Sequence, residues 1–178
     1  MKFIYIFILS TGLAYSANTK STMHKALNSI IEVIPYTSYS MKFSDPKNQS
    51  TINLHLQNIL DAFKSSGHDK MLNSVNFKPS FDTLKQHLQE TIDTYNSTQK
   101  DYAYLQVKNI GNICLSCHTQ LPKNKMSSFN LGIKKIDKTK FEKLSDYGEF
   151  LMIVRNYRSA EQVFHKVIQN RIKKIKNK

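Results

Sequence analysis

Four stretches of this chain place apolar side chains three and four residues apart, a period that suits an amphipathic helix and no sheet. Met23, Leu27, Ile30, Ile31 and Ile34 form the first stripe, with Ser21 available as an N-cap and Pro35 as a stop. Met41 to Ser50 reads as a loop around Asp45-Pro46, and a second stripe follows in Ile52, Leu56, Ile59, Leu60 and Phe63, ending near Gly67. The third, Phe81, Leu84, Leu88, Ile92 and Tyr95, comes after Pro79-Ser80. The fourth runs from about Lys100 to Gln120 through Tyr102, Leu105, Ile110 and Ile113, with Pro122 beyond its end. Five Gly and four Pro in 178 residues are too few to punctuate a many-stranded sandwich. The expected fold is therefore all-α, a four-helix bundle over residues 18–122.

The segments around this bundle have their own signatures. Residues 1–17 have the layout of a secretory signal: Lys2, the apolar run Phe3 to Leu9, then small residues at Ala14, Ser16 and Ala17, where cleavage is expected. The run is too short to span a bilayer, and no later segment could, so the mature chain is expected to be exported, to a periplasm or beyond, without a membrane span. Residues 123–140 are Lys-rich and read as a linker. The formal net charge of +13 would suit an acidic redox partner protein or anionic lipid headgroups. Nucleic acid is not an expected partner outside the cytoplasm, and the oligomeric state is open, a dimer included.

The only two cysteines fall in Cys114-Leu115-Ser116-Cys117-His118, the attachment pattern for haem c. On a helix, positions i, i+3 and i+4 share a face. Both thiols can then meet the two vinyl groups along one porphyrin edge while the His118 imidazole takes the iron on the proximal side. Three other uses of the pair fit less well. A redox Cys-x-x-Cys opens a helix after a strand. A zinc site needs further ligands, and the chain holds no other Cys. A disulfide at this spacing would strain the helix.

An attachment motif on the last helix of a four-helix bundle resembles the cytochrome c-prime class of c-type cytochromes, over roughly Lys20 to Pro122. The chain departs from that class in carrying about sixty residues after the motif. Within them, Leu144 to Ile168 resembles one tetratricopeptide repeat, with Leu144, Gly148 and Leu151 in a first helix, Arg155-Asn156-Tyr157 at the turn and Ala160, Phe164 and Ile168 in a second. Residues 141–178 are thus expected to form a helical hairpin with a basic tail, a candidate docking module.

The cytochrome c-prime resemblance implies one covalent haem and a distal face formed by the first helix. There Met23 and His24 are adjacent candidate ligands, of which only one can face the iron. Met126 and Met152 fit a distal role poorly. His55, His68, His87 and His165 are isolated; His87 interrupts the third stripe, where it either reaches the haem pocket or bonds a carbonyl. Tyr95, Tyr102 and Tyr104 are expected in the core. With no nucleophile elbow, paired acid and base or Gly-rich phosphate loop, the chain does not read as a hydrolase or transferase. Electron transfer is the expected function, with binding of a diatomic gas as the alternative; any turnover would be haem chemistry of the peroxidase type.

Overall fold

A computed structural model describes residues 19–66, 70–120 and 138–177, and every regular element among them is helical. The expected signal, His68, Met126 and most of the expected linker lie outside the described residues.

Helix α1 (Thr19–Val33) begins ahead of Ser21, which therefore lies inside the helix and is not its cap. The buried face explains this: it starts at Thr22, a polar residue that an apolar count passes over. A single 3-10 turn, Ile34–Tyr36, then carries Pro35 in its first positions, where the missing N–H costs nothing. The expected loop at Met41 to Ser50 is instead a short helix, α2 (Ser40–Ser44), followed by a 3-10 turn at Pro46–Asn48. Asp45 caps that turn by accepting from the Lys47 amide at 3.0 Å. One residue anchors the segment in the core. Phe43 is fully buried, its ring 4.8 Å from that of Tyr95, and its carbonyl accepts from the Tyr95 hydroxyl at 3.1 Å.

Helices α3 (Gln49–Lys64) and α4 (Lys78–Asn96) bury the stripes as spaced, Leu56, Leu88 and Tyr95 completely. In α5 (Lys100–Thr119) the expected stripe is wrong in its first half. Tyr102 and Leu105 are 56% and 62% exposed, whereas Ala103, Gln106, Val107, Ile110 and Cys114 face inward. The buried line uses a small and a polar residue, so the larger apolar side chains beside it drew the reading round the helix.

Two further helices, α6 (Leu144–Ile153) and α7 (Tyr157–Lys176), form a tight hairpin. Arg155 at the turn has φ 63°, and the Asn156 amide reaches back to the Leu151 carbonyl at 2.8 Å, the bond of a Schellman motif. Asn156 then caps α7 through the Ser159 amide. Gly148 lets the Phe164 ring lie directly on α6, since a Cβ there would stand 2.8 Å from it. Ile168, expected in the repeat's interior, is instead 56% exposed.

Neighbouring helices pack α1 on α3, α3 on α4, α4 on α5, and α6 on both α5 and α7. Helix α1 serves two apolar clusters. Its Met23, Ala26 and Val33 join the large cluster of α3, α4 and α5, while Leu27, Ile31 and Ile34 join Phe150, Leu151 and Val163 of the hairpin. Ion pairs and hydrogen bonds rim the second contact: Lys140 with Glu32 at 2.7 Å, Lys42 with Glu142, and Ser38 donating to Asp146 at 3.0 Å.

Replacing Gly148 with Ala tests the hairpin packing. Helix propensity alone would stabilise by about 1 kcal/mol. Overpacking against a ring held at 2.8 Å costs about 1–3 kcal/mol. The expected result is a net loss of about 1 kcal/mol, read from urea unfolding; a gain would show that the Phe164 ring swings aside freely.

Candidate functional site

The two cysteines and His118 occupy the last two turns of α5, where Cys114 ends the buried line and Cys117 and His118 lie beyond it. Cys114 is buried within the large cluster, while Cys117 and His118 are half-buried. Both cysteines are thiols, and neither is bridged to the other. Burial pushes the Cys114 thiol up to about 12, with Cys117 beside it adding to the shift. Cys117 is also raised by burial, with the Ser80 and Ser116 hydroxyls pulling the other way.

The hairpin reaches this site through the backbone. Nδ1 of His118 donates to the carbonyl oxygen of Ile153, at the end of α6. A carbonyl can only accept, so the proton sits on Nδ1, and the lone pair of the neutral ring is left on Nε2. Burial holds the imidazole below its ordinary value; the Ile153 bond opposes this, and the positive charge of Arg155 adds to the lowering. Neutral imidazole is thus the form favoured at pH 7. Close approach of α5 and α6 makes the bond reachable: at Gly111, two turns before His118, a Cβ would stand 2.9 Å from the Ile153 side chain.

A cavity of about 240 Å³ opens beside Cys114, between α1, α3, α5 and α6. Ile30 and Val33 wall it from α1, Leu56 and Ile59 from α3, and Phe150 and Met152 from α6. Met23 packs against the same cluster as Cys114, but neither it nor His24 lines the cavity. His24 is half-buried at the next position round the helix. Met152, a poor distal candidate by its place in an amphipathic helix, lines the cavity. Nothing in the sequence marks it, because only the fold brings α6 against α5.

The other histidines fall elsewhere. Nε2 of His87 donates to the Gln106 carbonyl at 2.8 Å, so it ties α4 to α5. His55 is half-buried on α3, and His165 is exposed on α7. Among the described residues no three His, Cys, Asp or Glu side chains converge as metal ligands. The roles of the Ile153 carbonyl and of Arg155 had no signal in the sequence, because a main-chain acceptor is the same in every residue.

These thiol environments predict an order of reaction. In the folded chain made without haem-attachment machinery, iodoacetamide at pH 8 should modify Cys117 well before Cys114, and urea should erase the difference. Mass spectrometry of the peptides would read it; equal rates in the folded state would mean that the end of α5 is open. No protein-family model, no curated protein and no solved structure matches the chain.

Proposed function

We propose that this chain is an exported c-type haem protein in which Cys114 and Cys117 hold haem covalently and His118 is the proximal ligand, on α5 of a four-helix bundle formed with α1, α3 and α4. The observation that carries the reading is the pairing of the motif with its support. Two unbridged thiols and an imidazole lie at i, i+3 and i+4, and the imidazole donates from Nδ1 to a main-chain carbonyl, the arrangement that orients a metal-binding histidine and leaves Nε2 for the metal. The donor set fits haem c, and a cavity adjoins the first attachment point, Cys114, walled by Ile30, Val33, Leu56 and Ile59 on one side and by Lys108, Asp146 and Glu149 on another. Bound haem would supply a reversible one-electron couple at the iron.

The chain's own residues would do the rest. Ile153 holds the imidazole ring in one orientation, and Arg155 beside it favours the neutral, ligating form. Ile30, Val33, Leu56 and Ile59 exclude water from the neighbourhood of Cys114, which raises the weight of each nearby charge. Electron transfer is the preferred function, with Met23, His24 or Met152 as the sixth ligand and a redox protein, an acidic one by charge, as partner. One observation favours the second reading, an open iron that binds a diatomic gas: the residues that α1 turns to the cavity are aliphatic and cannot ligate.

The decisive experiment matures the chain in a periplasm equipped for haem attachment and records ferric and ferrous spectra with and without carbon monoxide. Covalent haem lost in Cys114→Ala/Cys117→Ala supports the assignment, and no covalent haem on the parent chain overturns it. Low-spin ferrous bands indifferent to carbon monoxide are expected for the carrier. Replacing Met23, His24 and Met152 one at a time with Ala would then find the sixth ligand as the variant that turns high-spin. An immediate shift in carbon monoxide would instead establish the open site.

A further inference from the structure

Helix α7 is twice as long as its hairpin partner, twenty residues against ten, and its second half projects beyond α6. Its buried residues, Ala160 and Val163, are both in the first half. From Ile168 to Asn177 every residue is exposed. Yet this overhang is not uniformly polar. Ile168, Ile172 and Ile175 follow one another at four and three residues, so they share one face, and they are 56%, 47% and 75% exposed. Arg171 and Lys176 flank that line on its two sides, and Lys166, Lys173 and Lys174 cover the rest of the circumference. After Glu161 the sequence holds no acidic residue.

An apolar line on a projecting helix needs a cover, and the charge selects which. A second copy laid along the same face would bring two sets of cations together, which costs association. A groove on another protein would have to be both apolar at its floor and acidic at both rims. An anionic bilayer meets that description everywhere: it takes the isoleucines just below the headgroups and the flanking cations at the phosphates, and it accepts a convex helix without a matching groove. No described helix is long and apolar enough to cross a membrane, so such a contact would be peripheral.

We propose that the second half of α7 docks this protein on an anionic lipid surface, with Ile168, Ile172 and Ile175 as the inserted line. The inference is independent of the haem assignment. Its test is flotation of the full chain with vesicles of phosphatidylcholine alone and of phosphatidylcholine mixed with phosphatidylglycerol. Binding is expected to the mixed vesicles only and to weaken as salt is raised. Ile172→Asp should weaken it about tenfold or more, and Lys173→Glu/Lys174→Glu should also weaken it. Because these side chains are exposed, both variants should keep the parent's helical circular dichroism. Three outcomes overturn the proposal: no binding to either vesicle, binding that Ile172→Asp leaves unchanged, or a concentration-dependent dimer that Ile172→Asp abolishes in the absence of lipid.

Discussion

Helix α5 must bury two faces at once, one against α4 and one against α6, and at Gly111 the second face comes close to the Ile153 side chain. A Cβ there would stand 2.9 Å from the end of the Ile153 side chain, which would have to turn aside. Three features depend on that approach: the wall that Phe150, Met152 and Ile153 give the cavity, the bond from His118 to the Ile153 carbonyl, and the contact of Lys108 with Asp146 at 3.8 Å. The last is weak, since an ion pair at that distance near the surface contributes under about 1 kcal/mol. Apolar contact and one main-chain acceptor therefore set the position of α6, and the charges trim it.

The same economy governs α1. Its two apolar edges lie on either side of Ala26 and Leu27, one turned to the main cluster and one to the hairpin. A helix with a single partner needs a stripe about 100° wide. Here the run Ile30, Ile31, Val33 and Ile34 is wider because it serves two partners. The hairpin's own buried face is small, and a lone helical hairpin cannot cover its apolar side. By lying against α1 and α5, α6 and α7 acquire the cover that a neighbouring repeat would otherwise provide.

How much of this was legible in the sequence follows from what kind of signal each feature leaves. The stripes of α3 and α4 are runs of large apolar residues at regular spacing, and they are buried as spaced. In α5 the inward line passes through Ala103 and Gln106, which no hydrophobicity count would choose over the exposed Tyr102 and Leu105. Phe43 is the one buried residue of helix α2, and one residue has no period. For the candidate site, the Cys and His spacing is visible because chemistry dictates residue type. Its support is not: the carbonyl of Ile153 comes from a residue 35 positions away, and only the fold determines which carbonyl arrives there.

The burial of Cys114 bears on how the proposed attachment would be made. A thiol adds to a vinyl group through its sulfur, which must reach the porphyrin edge, yet this one is within the core with its ionisation pushed up to about 12. Cys117, half-exposed on the next turn, is the accessible member of the pair. If haem is attached as proposed, the end of α5 would be open when the first bond forms, and α6, whose Ile153 carbonyl holds His118, would dock afterwards. Attachment would then precede completion of the fold. On this order the hairpin acts last, fixing the orientation of His118 once both sulfurs are committed.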